Sequence, residues 1–169
     1  KDTTGFLQSL AQNHVRGWQN GGGVVIGITG SNGKTTHKEM LYHLLREVMG
    51  DSVYCTQGNL NNHIGVPLTL LSLGPQHRVG VIEMGSNHPG EIKHLCSIAS
   101  PGSGIITNIG KSHLEFLHNE EGVFLEKRAL FDSVMSTTKN QGPFVVNADD
   151  QYLANLAKNI NTIFFSQLP

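Results

Sequence analysis

The chain has 169 residues, which is the size of one domain with a substantial core of its own. Its 12 Lys and Arg residues against 13 Asp and Glu residues give a net charge of −1, which argues against a general nucleic-acid-binding surface. No apolar run approaches the ~20 residues of a membrane span, and the N-terminus lacks a signal-peptide pattern. We therefore expect a cytoplasmic protein with no nucleic-acid or membrane partner. Cys55 and Cys96 lie on apolar segments without metal-type spacing, and we expect buried free thiols there.

Apolar and turn patterns alternate between those of strands and those of helices along the whole chain. In chain order, the pattern predicts a helix at 3–18, a strand from 24, a helix opening near 37, a strand at 52–55, a helix with Pro67 in its first turn, a strand at 79–84, a helix starting at Pro89, a strand at 104–108, a helix at about 120–135, and strands at 143–147 and 162–165 around a short helix. This alternation predicts an α/β fold with a mostly parallel sheet flanked by helices and joined by right-handed crossovers.

A glycine-rich turn, Gly27-Ile-Thr-Gly-Ser-Asn-Gly-Lys-Thr-Thr36, joins the first strand to the second helix. A strand, a glycine-rich loop and a helix N-terminus together form a cradle of backbone N–H groups for phosphate. A plain tight turn would explain the glycines but not the Lys-Thr-Thr that follows them. The spacing differs from the strict P-loop pattern, because position 28 is Ile. We predict a P-loop NTPase-like nucleotide site made by Gly30, Ser31, Asn32, Gly33, Lys34, Thr35 and Thr36.

Polar residues follow several of the predicted strands, where ligands bind in an open parallel sheet. Glu83 ends an apolar strand, and a carboxylate buried there needs a cation or strong donors. Mg²⁺ at nucleotide phosphates is one such cation, with the Thr35 hydroxyl as a second ligand; a solvated Glu83 at the strand end is the alternative. His113 and the Asn-rich loop at 56–63 could equally be structural or turn-forming. A helical lysine such as Lys127 is ordinarily solvated. The residues alone thus indicate a Mg²⁺-dependent nucleotide enzyme.

Several segments together resemble the ATP-binding central domain of the Mur ligases, from near residue 3 to about residue 165. The segments are Thr29-Gly-Ser-Asn-Gly-Lys-Thr-Thr36, Gly58-Asn-Leu-Asn-Asn-His-Ile-Gly-Val-Pro-Leu-Thr-Leu-Leu71, Val81-Ile-Glu-Met-Gly-Ser-Asn-His-Pro-Gly-Glu91, Thr107-Asn-Ile-Gly-Lys-Ser-His-Leu-Glu115 and Asn147-Ala-Asp-Asp150. Within that family, the segments at 59–62 and 83–88 are most similar to the ligases that add D-alanyl-D-alanine to UDP-N-acetylmuramoyl-tripeptide.

The resemblance implies a reaction of peptidoglycan synthesis and a domain organisation. ATP would phosphorylate the terminal carboxylate of the UDP-linked tripeptide, and the amine of D-alanyl-D-alanine would then attack the acyl phosphate. Residues 1–169 would form the ATP-binding central domain of a longer ligase. A domain for the UDP-linked substrate would precede it, and a C-terminal domain would follow.

The resemblance also implies roles for single residues. Lys34, Glu83, His113 and Lys127 would be catalytic. Glu83 and Thr35 would serve one Mg²⁺, and His113 would help to bind a second ion. Lys127 aligns with the lysine that Mur ligases carbamylate with CO₂, which would make it a ligand of the second ion. Asn147 would contact adenine.

The chain departs from the pattern of these ligases at several positions. His63 stands where Asp is usual, and His37 stands where Thr is usual. The segment at 114–119 lacks the glycines that normally follow His-Leu-Glu, and the segment at 126–131 differs from the usual Lys-Gly-Glu-Leu. Two alternatives remain open: a folylpolyglutamate-synthase-like ligase with the same fold and mechanism, and a nucleotide-binding module without catalysis.

Overall fold

The computed structural model describes residues 2–156 and 162–165. Within these residues, six strands form one sheet in the order β2-β3-β1-β4-β5-β6, and every pairing is parallel. The strands are β1 (Val24–Thr29), β2 (Val53–Cys55), β3 (Val79–Glu83), β4 (Ser103–Ile106), β5 (Phe144–Asn147) and β6 (Thr162–Phe165). The predicted parallel α/β sheet is therefore confirmed.

Helices cover both faces of the sheet. They are α1 (Thr3–Asn20), α2 (Lys34–Met49), α3 (Gly65–Leu71), α4 (Glu91–Ala99), α5 (Leu114–Leu117) and α6 (Glu120–Thr138). Side chains alternate along the central strands, so that Ile82 belongs to the core cluster that includes α1, α3, α4 and α6, whereas Val81 belongs to the cluster that packs against α2. Both faces of β1 and β3 are thus buried, which explains their nearly continuous apolar sequences.

Local signals set the ends of several helices. The Asp2 side chain accepts the N–H of Gly5 at the start of α1, and Asn119 accepts the N–H of Gly122 at the start of α6. The fourth helix begins at Glu91 rather than at Pro89, because Gly90 adopts a left-handed conformation with φ of 87° just before it. Of the segment between β5 and β6 where a short helix is expected, residues 148–155 form turns and a bend, and residues 157–161 lie outside the described residues.

The strand order places a topological switch point between β1 and β4. The chain leaves β1 toward β2 and β3 on one side, and it then crosses to β4 and β5 on the other. Loops that follow β1 and β4 therefore meet at the C-terminal edge of the sheet, which is where open α/β sheets bind ligands. Both cysteines are buried and free, as expected. Within the described part of the chain, no helix combines the length and apolar character needed to cross a membrane.

Candidate functional site

The glycine-rich loop after β1 adopts backbone conformations that its glycines make possible. Gly30 has φ of +146°, and a Cβ atom there would collide with Oγ1 of Thr107. Gly33 has φ of +75° and is the N-cap residue of α2. The first N–H groups of α2 have no acceptor within the helix, so they face the loop opening as donors for an anion.

Hydrogen bonds fix this loop to the segment after β4. The N–H groups of Ser31 and Asn32 donate to the backbone oxygen and the Oδ1 of Asn108, at 3.0 and 2.9 Å. The Thr107 hydroxyl donates to the Asn32 carbonyl at 2.6 Å, and the Gly110 N–H donates to Oγ of Ser31 at 2.9 Å. Hydrogen bonds within the protein therefore fix the shape of the cradle, and Asn108 has a structural part in it.

Lys34 lies inside the cradle. Its Nζ donates to the carbonyls of Gly30 and Ser31 at 2.9 and 3.3 Å. Burial lowers the pKa of Lys34, and the neighbouring Glu83 carboxylate opposes that change. The ammonium is thus poorly solvated and held at the loop opening, which suits it to bind phosphate oxygens.

Glu83 ends β3 and is 2% exposed. Its two carboxylate oxygens accept the Thr35 hydroxyl at 2.9 Å and the Asn61 amide at 2.8 Å. The sequence-based expectation of strong donors at Glu83 is therefore correct. Asn61, which could have been a plain turn former, therefore contacts the site through Glu83.

The oxygens of Glu83 and Thr35 fit a hard divalent cation. Within residues 2–156 and 162–165, no group of three or more His, Cys, Asp or Glu side chains could hold a metal ion. Mg²⁺ at nucleotide sites usually takes one or two protein oxygens and completes its shell with phosphate oxygens and water. A carboxylate and a hydroxyl joined at 2.9 Å beside the first turn of α2 match that requirement.

A cleft of about 660 Å³ opens beside the cradle. Lys34 and His113 both line it, and His113 has a left-handed backbone with φ of 52° just before α5. The full lining is Lys34, Asn61, Asn62, His63, Gly85, Ser86, Asn87, His88, Pro89, Gly90, Glu91, His94, Leu95 and His113. The cleft walls therefore combine one lysine and one glutamate with four histidines and three asparagines, a lining rich in hydrogen-bonding groups.

Lys127 reaches the wall of this cleft from α6. It is 1% exposed, and its Nζ donates to Oγ of Ser86 at 2.7 Å. Burial, together with the positive charge of Lys34, lowers its pKa to about 8 against the opposing effect of Glu126 and Glu91. The expected solvated helical lysine is therefore wrong for this position, and the amine is neutral far more often than an exposed lysine would be.

Glu126, next to Lys127, has a role that sequence reasoning missed. It is 5% exposed, and its carboxylate accepts the N–H groups of Gly90 at 2.6 Å and Ile92 at 2.7 Å. These groups belong to the first turn of α4, so Glu126 caps that helix from across the core. The cap fixes α6 to the loop at 85–91 that forms one wall of the cleft.

Asn147 and Thr36 lie at the periphery of this arrangement. Oδ1 of Asn147, at the end of β5, accepts the N–H of Asp149 at 3.0 Å. Thr36 is exposed on the first turn of α2. Asp150, not predicted as a site residue, accepts the N–H of Ile109 at 2.6 Å and so joins the loops after β4 and β5.

The fold and the cradle define a class: a parallel α/β domain with a P-loop at the switch point of its sheet. The Mur ligase middle domain matches residues 28–167, and the chain belongs to this family. It is 40% identical over 154 residues to UDP-N-acetylmuramoyl-tripeptide–D-alanyl-D-alanine ligase of Bacillus subtilis, covering 91% of this chain and 32% of that relative.

Solved structures agree with the family. MurF ligase from Thermotoga maritima in complex with ADP superposes with a TM-score of 0.84 at 35% identity, over 100% of this chain and 38% of that one. A mutant of L. casei FPGS has a TM-score of 0.60 at 16% identity, over 93% of this chain and 48% of that one, which shows a shared fold only. The chain thus spans about a third of the length of its MurF relatives.

Proposed function

We propose that this chain is the ATP-binding central domain of a longer cytoplasmic ligase. That ligase would join D-alanyl-D-alanine to UDP-N-acetylmuramoyl-tripeptide in peptidoglycan synthesis. The names of the relatives at 40% and 35% identity support this substrate pair, since the FPGS likeness extends only to the fold. The single observation that carries the proposal concerns one cleft: Lys34 lines it, and two of its other lining residues, Asn61 and Ser86, hydrogen-bond to Glu83 and Lys127.

The cradle would hold the phosphates of ATP. When bound, ATP with Mg²⁺ supplies a phosphoryl group that converts a carboxylate into an acyl phosphate. The N–H groups of the first turn of α2 would donate to phosphate oxygens, and Lys34 would neutralise charge on the group that moves. Ser31 and Asn32 would shape the loop around the phosphates, because their own N–H groups bond to Asn108. Glu83 and Thr35 hold Mg²⁺ through their oxygens. Asn147 is the candidate contact for adenine, because it ends β5 on the same edge of the sheet.

The cleft would hold the carboxylate of the UDP-linked tripeptide beside the cradle. His113 and a carbamylated Lys127 are the candidates for a second Mg²⁺ site there. The neutral amine of Lys127 would bond to the carbon of CO₂ and lose one proton, which would turn the amine into an anionic carbamate whose oxygens can bind a cation. The lowered pKa of Lys127 supports this step, because only a neutral amine attacks CO₂.

Positioning accounts for much of the rate in such a reaction. Lys34 orients the phosphoryl donor, and the loop at 85–91, capped through Glu126, forms a wall against the acceptor carboxylate. The attacking amine of D-alanyl-D-alanine needs a further surface, which we assign to the rest of the longer ligase. We therefore expect the 169-residue chain to fold alone and to release ADP only at background rate.

ADP release by the full-length ligase tests the proposal. The enzyme is incubated with ATP and Mg²⁺, and UDP-N-acetylmuramoyl-tripeptide and D-alanyl-D-alanine are added singly and together. We expect steady ADP release only with both, matched by the amide product. ADP release with a folate and glutamate instead would favour the folylpolyglutamate-synthase-like alternative. ATP binding without ADP release under any condition would favour a non-catalytic module.

A further inference from the structure

Lys38 is a buried cation that the proposed reaction does not use. It lies one helical turn after Lys34 on α2 and is 1% exposed. Its Nζ donates to the carbonyl of Thr56 at 2.7 Å and contacts Oε1 of Glu39 at 2.8 Å. Unlike Lys34, it is not among the residues that line the cleft. Removing an ammonium from water is costly, so the burial of Lys38 against the carbonyl of Thr56 needs an explanation.

Thr56 accepts the hydrogen bond from Lys38 and is itself bonded to the backbone of β3. It is 0% exposed and follows Cys55, the last residue of β2. Its N–H donates to the carbonyl of Val81 at 3.0 Å, and its Oγ1 accepts the N–H of Glu83 at 2.9 Å. The Thr56 hydroxyl thus extends the hydrogen bonding between β2 and β3 by one residue. It accepts the N–H of Glu83 in place of the Thr56 carbonyl, which accepts from Lys38 instead.

Glu83 is held on its other side by β1. Ile28 pairs with Glu83 in the parallel register, and the N–H of Met84 donates to the Ile28 carbonyl at 2.8 Å. The backbone of Glu83 is therefore fixed between β1 and Thr56, and this sets the direction in which its carboxylate leaves the strand toward Thr35.

We propose that Thr56 and Lys38 are positioning residues for Glu83, with the Thr56 hydroxyl fixing the Glu83 backbone and the Lys38 ammonium fixing Thr56. The inference rests on the proposed role of Glu83 as a Mg²⁺ ligand. It also gives the buried lysine at position 38 a function. Lys34 and Thr35 lie on α2, Glu83 lies on β3, and Lys38 on α2 bonds to Thr56, which in turn bonds to the backbone of Glu83. The contact from Lys38 to Thr56 joins these two parts of the site at a fixed distance.

The test measures metal binding as well as turnover in the full-length ligase. Thr56→Val keeps the shape of the side chain and removes the hydroxyl, whereas Thr56→Ser keeps the hydroxyl and removes a methyl group. The affinity for Mn²⁺ is followed by electron paramagnetic resonance with ADP present, and the affinity for ADP is measured separately without metal. We expect Thr56→Val to weaken Mn²⁺ binding about tenfold, as loss of an outer-shell partner does. Thr56→Ser should bind Mn²⁺ like the wild type, and metal-free ADP affinity should be unchanged in both.

A general loss of structure would give a different result from a positioning effect. Equal weakening by Thr56→Val and Thr56→Ser, or wild-type Mn²⁺ affinity in Thr56→Val, would overturn the inference. Lys38→Met gives a second test if Thr56→Val does not fold. It removes the donor to the Thr56 carbonyl, together with the ion pair to Glu39, and should also weaken Mn²⁺ binding. Wild-type affinity in Lys38→Met would overturn the part assigned to Lys38. Glu83→Gln serves as the reference. If it binds Mn²⁺ normally, the proposed metal role of Glu83 fails, whatever Thr56 does.

Discussion

Replacing Lys127 with Met removes a buried amine whose charge is strongly disfavoured. The pKa falls from 10.5 to about 8 in the folded chain. At pH 7 about one amine in ten is then neutral, against about one in three thousand for an ordinary lysine. The same difference in pKa corresponds to about 3 kcal/mol of folding free energy. The chain therefore carries a destabilising group at neutral pH, and it gains a reactive amine by doing so.

The sign of the pH dependence follows from the direction of the change. The folded pKa lies below the unfolded one, so between pH 8 and 10.5 the unfolded chain binds a proton that the folded chain does not. The free energy of unfolding of the wild type, relative to Lys127→Met, should rise by about 3 kcal/mol across this range and stay constant below it. This difference in unfolding free energy is measured by urea unfolding of the 169-residue chain in CO₂-free buffers at each pH. Lys93→Met, at an exposed position on α4, is the matched control. A difference between wild type and Lys127→Met that does not change with pH would refute the reasoning.

The chemical consequence is tested in the full-length ligase. Carbon-13-labelled bicarbonate should give a carbamate signal in the wild type that is absent in Lys127→Ala. The activity of Lys127→Ala should be low and should partly return with added short carboxylic acids, which can fill the vacated space. A variant with undiminished activity would end the proposal of a carbamate at this position.

Three further substitutions test separate parts of the account. Lys34→Ala should abolish ATP turnover by the full-length ligase without lowering its melting temperature, and wild-type turnover would contradict the P-loop assignment. Glu126→Ala should cost about 2–4 kcal/mol in urea unfolding of the chain, because the N–H groups of Gly90 and Ile92 lose their acceptors. Glu126→Gln keeps the side-chain volume and one acceptor oxygen and should cost less, and a loss equal to that of Glu126→Ala would contradict this prediction. His118→Gly should raise the unfolding free energy by about 1 kcal/mol, because residue 118 has φ of 64° and ψ of −48°, and no gain would mean that this conformation is unstrained.

The parts of the fold that sequence predicts well depend on local signals. The strands and helices follow the apolar period, and the cradle follows from glycines, Lys34 and a helix start within ten residues of chain. Glu83 was predictable because a carboxylate directly after an apolar strand needs partners. Its actual partner Asn61 was only one of several asparagines in a loop, since nothing local separates a turn former from a donor 22 residues away.

The helix α6 shows why other parts were not predictable. Leu125 is 56% exposed, whereas Glu126 and Lys127 beside it are 5% and 1% exposed. A helical hydrophobic pattern predicts the reverse, because it orients a helix by its apolar residues. Here the buried pair is held by Gly90, Ile92 and Ser86, which lie 34 to 41 residues earlier in the chain. Only the resemblance to Mur ligases pointed to Lys127, and no pattern in the sequence pointed to Glu126.

Transfer of oxygen from the acceptor carboxylate to phosphate tests the central claim most directly. UDP-N-acetylmuramoyl-tripeptide labelled with oxygen-18 at both oxygens of its terminal carboxylate is given to the full-length ligase with ATP, Mg²⁺ and D-alanyl-D-alanine, and the released phosphate is analysed by mass spectrometry. Phosphorylation of the carboxylate followed by amine attack leaves one carboxylate oxygen on the phosphate. We predict one oxygen-18 atom in each phosphate and no phosphate above background when D-alanyl-D-alanine is omitted. Unlabelled phosphate, or phosphate that takes its oxygen from labelled water, would contradict an acyl-phosphate ligase and with it the role we assign to this domain.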